Sequence, residues 1–164
     1  MSKTATYAKI ATTTLASTAT EYTFTSIPST YTDLVLVVAG QSASAGSSAL
    51  RVGNGSIDTG SNYSYTNLKG NGTTATSARA SSITLGYIGE IYSSQTVTII
   101  NIMDYSNTTT FKTFLSRSNN AGNAVSTWVS LWRSTAAINQ VRFLSGDTMQ
   151  IGTTLTLYGI EDAK

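Results

Sequence analysis

No stretch of this chain keeps a 3.6-residue apolar period for three turns. Short alternating or continuous apolar runs recur instead, cut by Gly, Asn and Ser clusters at intervals of 8–14 residues. That rhythm leaves little room for anything but sheet. The composition supports it: 29 Thr, 12 Ile and 8 Val make 49 β-branched positions, which suit a pleated, half-buried surface better than a helix. Richness in Ser and Thr also raises the question of disorder. Leu, Ile, Val and Phe still fill 35 of 164 positions, the formal charge is only +2 and there is one Pro, so collapse is not opposed by self-repulsion. The length is that of one domain.

Read along the chain, residues 7–15 and 20–27 are two strands, ended by Pro28 and a turn at Ser29 and Thr30. DLVLVVAG (33–40) is a continuous apolar run, as expected of a central strand covered on both faces. A short strand over 48–53 ends at Asn54-Gly55, a favoured hairpin dipeptide, and Asn71-Gly72 marks another turn. The stretch 56–82 reads as loop. Strands resume at 83–91, 95–105, 110–117, 124–133, 138–144 and 153–160, with SNNAG as a hairpin loop. The expectation is all-β: a single antiparallel β-sandwich, jelly-roll-like, of about 9–10 strands. The sandwich spans 21–164, preceded by a weakly patterned extended N-terminal arm over 1–20 that is suited to adding to a neighbour's sheet edge.

The chain has no His and no Cys. That removes histidine general bases, the Ser-His-Asp triad, thiol nucleophiles, disulfides and the usual zinc sites. No cofactor is expected. A surplus of two positive charges neutralises few phosphates, so nucleic acid is not an expected partner. LVLVVAG (34–40), the most apolar run, is too short to span a bilayer, and residues 1–15 lack a signal-peptide apolar core, so no membrane role is expected and synthesis is placed in the cytoplasm. Of the eight carboxylates, Asp33, Asp104 and Asp147 fall at strand ends or turns, where they bond backbone groups. Asp58 with Asn54 and Asn62 is the nearest approach to a calcium loop, and it lacks a second carboxylate. No catalytic and no metal-ligating residue is assigned.

The aromatic residues carry more. Tyr63 and Tyr65 are two apart in the polar stretch SNYSYTNLKGNG (61–72), hence on one side of an extended segment. With Asn62 and Asn67 they form the candidate contact site. Three roles are open: pinning a long loop, a protein interface, or stacking on a glycan whose hydroxyls the amides bond. Trp128 and Trp132, four apart in a strand, share a face and are expected in the core; Arg117, Arg133 and Arg142 are expected along strand ends, bonding carboxylates or neighbouring subunits.

FTSIPSTYTDLVLVVAG (24–40), SNYSYTNLKGNG (61–72), KTFLSR (112–117), SLWRSTAAINQVRF (130–143) and TLTLYGI (154–160), taken together and in order, resemble a family of small β virion structural proteins of tailed bacteriophages, especially marine and cyanobacterial ones. The resemblance implies a structural viral protein and not an enzyme: a capsid decoration or cement protein on the outer head shell. The alternative is a tail-fibre receptor-binding module recognising a host surface glycan. Implied partners are the major capsid protein or another virion protein, and further copies of the chain. A trimer is expected from the symmetry of the places such proteins occupy. The implied location is the virion, at the capsid surface.

Overall fold

A computed structural model describes residues 6–161. DLVLVVAG becomes β3 (Asp33–Gly40), with Leu34, Leu36 and Val38 packed inward. It lies between the last strand, β13 (Thr154–Ile160), and β9 (Thr96–Met103), which turn Leu155, Leu157, Ile100 and Ile102 to the same side. Leu50 and Val52 of β4 (Gly46–Asn54) and Val141, Phe143 and Met149 of β12 (Gln140–Met149) meet them from across the core.

The eight strands that define the architecture are β1 (Tyr7–Thr14), β2 (Ala19–Phe24), β3, β4, β8 (Gly86–Ile91), β9, β12 and β13. They pair as a nested hairpin: β4 with β8, β3 with β9, β2 with β12, β1 with β13, all antiparallel. β13 also pairs with β3 and β12 with β4, which gives the two sheets β1-β13-β3-β9 and β2-β12-β4-β8. This is jelly-roll connectivity, two interlocked Greek keys.

Two insertions enlarge it. β5 (Ser56–Ile57), β6 (Tyr63–Gly70) and β7 (Ala75–Ile83) lie between β4 and β8, and β10 (Lys112–Asn120) and β11 (Ala124–Trp132) between β9 and β12. β5 adds two residues to the β4 edge, and the other four extend the first sheet to the order β1-β13-β3-β9-β10-β11-β6-β7. The described residues thus hold thirteen strands instead of nine or ten, in sheets of eight and five. Most of residues 56–82 is strand, chiefly the β6–β7 hairpin, and reading the stretch as loop is corrected. Asn71 Oδ1 accepts the N–H groups of Thr73 and Thr74, and Gly72 takes the left-handed φ of +88° that the β6–β7 turn requires. The N-terminal arm is corrected too. Residues 7–14 form an edge strand of the chain's own sheet, paired with β13; residues 1–5 lie outside the described residues.

The sandwich closes where β8 approaches β10 and β11. Here the inward side chains other than Trp128 are small: Ser116 and Ser118 on β10, Ser126 and Ser130 on β11. The Ser116 hydroxyl donates to the Ile88 carbonyl at 2.6 Å, Ser118 to Glu90 at 2.6 Å and Ser130 to Tyr87 at 2.5 Å. The backbone of β8 therefore lies within side-chain hydrogen-bond reach of the opposite sheet, well inside the usual separation of about 10 Å. Gly89 makes this possible. Its φ is +147°, and a Cβ there would stand 2.6 Å from Ser118 Cβ. Gly89→Ala is expected to destabilise the fold by about 3 kcal/mol through combined backbone strain and overpacking. Gly122→Ala, where a Cβ meets only an Asn120 oxygen at 3.6 Å, is expected to shift stability by about 0.5 kcal/mol or less. Urea unfolding midpoints of the two variants check this.

Candidate functional site

Alternation on β6 turns Tyr63, Tyr65, Asn67 and Lys69 toward the interior and Ser64, Thr66 and Leu68 toward solvent. The two tyrosines do share a side, but it is the inner one. Tyr63 is fully buried; its hydroxyl accepts the Val52 N–H at 3.1 Å and donates to the Asp58 carbonyl at 3.1 Å. Asn67 is buried, its Oδ1 accepting the Ala78 N–H at 2.9 Å. Neither reaches a partner at the surface, so their place in the candidate contact site is corrected: Tyr63 ties the lead-in loop to β4, and Asn67 joins β6 to β7 within the hairpin. Tyr65 is half-buried in a cluster with Tyr87 and Trp128, ring centroids 5.3 and 5.1 Å away. Asn62 alone is exposed, and its Nδ2 donates to Asp58 Oδ2 at 2.9 Å.

Asp58 is the hub of that loop. Its Oδ1 accepts the Gly60 N–H at 2.7 Å and its Oδ2 the Trp132 indole N–H at 2.7 Å. Burial works to raise its pKa, but the hydrogen bonds from Trp132, Asn62 and Gly60, with the charge of Arg51, outweigh it and hold the carboxyl below its ordinary 3.8. The Arg133 guanidinium donates to the carbonyls of Ser61 and Tyr63 and to Ser64 Oγ. Arg142 pairs with Glu21 across β12 and β2 at 3.3 Å, and Trp128 and Trp132 are both in the core.

A second polar cluster joins the two sheets between β6 and β8. Lys69 Nζ lies 2.5 Å from Glu90 Oε1, and the Tyr92 hydroxyl donates to Glu90 Oε2 at 2.9 Å. They border a hollow of about 160 Å³ floored by Ala45, Gly46 and Ser47. The hydrogen bond from Lys69 to Glu90 outweighs desolvation and raises the Lys69 pKa; burial raises that of Tyr92. Lys112, fully buried, donates to the Thr110 and Thr135 carbonyls at 2.7 and 3.3 Å, and desolvation lowers its pKa against the opposing charge of Asp104. Among the described residues no group of three or more Asp and Glu side chains is placed to hold a metal ion. No helix among them is long and apolar enough to cross a membrane.

Sequence reasoning missed the outer face of the extended sheet. On β11, Val125, Thr127, Val129 and Leu131 point outward, level with Leu115 and Arg117 on β10 and with Thr66 and Leu68 on β6. Leu68, Val125, Val129 and Leu115 are 62, 55, 48 and 42% exposed. The signal was present in AVSTWVSLW: once Trp128 and Trp132 take the inner face, the valines of the other parity must face out. No family model matches the chain, and no curated protein matches it.

Tyr63→Phe is expected to cost about 1–3 kcal/mol by leaving the buried Val52 N–H and Asp58 carbonyl without their partner. Burial raises the Tyr63 pKa above its ordinary 10.0. The unfolded chain therefore releases that proton first, and the associated stability is present below about pH 10 and is lost as pH rises beyond it. Denaturant midpoints from pH 8 to 11 should show a shallower alkaline decline for Tyr63→Phe than for the parent.

Proposed function

We propose that the chain is a structural protein of a tailed-bacteriophage particle, a decoration or cement protein on the outer head shell, with no enzymatic role. The observation that carries this reading is the commitment of several of its scarce charged groups to internal bonds. Asp58, Glu90, Lys112 and Arg133 each serve the β6–β7 hairpin, the sheet-to-sheet contact or a strand end. What faces outward is broad sheet bearing Thr, Ser and aliphatic side chains. Such a surface lets many copies crowd on one shell with little mutual repulsion. The ordered resemblance of five segments to phage virion proteins supplies the setting. It brings with it the major capsid protein or another virion protein as partner, self-association, synthesis in the host cytoplasm and residence at the capsid surface.

The second reading, a tail-fibre module that binds host glycan, is favoured by one observation: Tyr65 and Tyr87, beside Trp128, are not fully buried. Aromatic rings so placed can stack on a sugar. Two measurements separate the readings. Quantitative mass spectrometry of purified particles should count on the order of hundreds of copies for a protein repeated over a symmetric shell. A few dozen or fewer would move the protein to the tail. A glycan array should stay blank; binding lost in Tyr65→Ala and Tyr87→Ala would establish the second reading.

A further inference from the structure

The outer face of β9-β10-β11-β6-β7 has a composition that a solvent-facing sheet does not need. Its outward rows hold Leu68, Leu115, Val125 and Val129, with Val97 and Ile99 beside them on β9. Among the described residues the charges on it are Arg117, Arg79 and, at the end of β11, Arg133, whose guanidinium is engaged by Ser64 Oγ and the Ser61 and Tyr63 carbonyls; no carboxylate accompanies them. We propose that this face is the seat of a second copy of the chain, joined sheet to sheet about a two-fold axis running along β11.

Three observations lead to that occupant. The first is area. Strands about 4.8 Å apart with residues advancing about 3.4 Å give five strands of eight residues a face of roughly 24 by 27 Å, about 650 Å². Two such faces bury about 1,300 Å², within the roughly 1,200–2,000 Å² of stable, specific interfaces.

The second is charge. A two-fold along β11 lays β10 of one copy over β6 of the other, and β9 over β7. Arg117 is level with Thr127 and Leu68 in the ladder, so its stem meets the mate's Leu68. Arg79 is level with Thr66, Val129, Leu115 and Asn101, so it meets the mate's Asn101 amide. Neither of these two guanidiniums faces the other, neither requires a carboxylate, and that of Arg133 is drawn off the axis onto Ser64 Oγ and the Ser61 and Tyr63 carbonyls.

The third is shape. Gly70 and Ala75 leave a hollow of about 400 Å³ beside Leu68 and Val125. The same operation brings the mate's Val97 and Ile99 over it. On the axis Val125, Val129 and Leu131 meet their own counterparts, the self-complementarity that a two-fold contact demands.

The contact does not depend on where in a particle the protein resides, and it closes on two copies, not the three expected from phage symmetry. Sedimentation equilibrium of the purified chain at micromolar concentration should give twice 17.3 kDa. Val129→Glu and Leu68→Glu, both at exposed positions, should raise the dissociation constant at least ~30-fold with unchanged thermal midpoints. Tyr7→Glu, exposed on the remote β1 edge, should leave the dimer intact. Because the chain has no Cys, a single Thr127→Cys near the axis offers a measurement free of any folding defect: a short bis-maleimide should link two chains, whereas Tyr7→Cys should not be linked. A monomer at the highest soluble concentration, a trimer, or a dimer unmoved by Val129→Glu overturns the proposal. So does a monomeric parent whose attachment to phage heads is lost in Val129→Glu, which would make the shell the occupant.

Discussion

Three seryl hydroxyls set the thickness of this sandwich. β8 is the outer strand of the smaller sheet, and on the side away from β4 its carbonyls would be unpaired. Ser116, Ser118 and Ser130 bond them from the opposite sheet, with Gly89 clearing the space. An exposed sheet edge is a liability that proteins cover, charge or shorten. Here it is turned into the other layer and satisfied there. A leucine at any of these serines would drive the sheets apart and leave a buried carbonyl without a partner.

Much of the remaining structure follows from that choice. The small inner residues of β10 and β11 supply little core, so the apolar contribution comes from Phe114 and Trp132 toward the main cluster at one end and from Trp128 alone at the middle of β11, against Tyr65 and Tyr87. The bulk missing from the inside reappears outside, as Leu115, Val125 and Val129. A strand whose inner row reads Ala, Ser, Trp, Ser, Trp and whose outer row reads Val, Thr, Val, Leu is apolar on both sides. Such a strand is covered on both faces or presents one of them to something else.

The legible part of the fold was the part whose side chains declare a face. β3 falls on the residues its apolar run indicates, and Trp128 and Trp132 went to the core as their spacing implies. β6 was missed because its inner row is Tyr63, Tyr65, Asn67 and Lys69, four residues that look like surface. β7, ATSARASSI, offers no apolar row at all; backbone pairing with β6 makes it a strand, and that is invisible along a single chain. The same ambiguity misdirected the candidate site. Tyr and Asn in a polar stretch resemble a contact surface, and only the pairing partner shows whether a hydroxyl such as that of Tyr63 bonds a guest or a backbone.

The nested pairing also imposes an order in time. β4 with β8 is the innermost pair of the hairpin, and β1 with β13 the outermost, joining Tyr7 to Ile160. A ribosome delivers the N-terminal strands first. Of the thirteen strands β1 and β2 therefore emerge first and wait longest, since β12 and β13, which they must join, follow all the others. Until β12 and β13 are made, the nascent chain carries two strands whose partners do not yet exist. Their composition fits that interval: Thr12, Thr13, Thr14, Thr20 and Thr23 dominate them, and they carry few large aliphatic side chains. The hydroxyl richness of the first twenty-odd residues is thus a property of the unfinished chain as much as of the finished one.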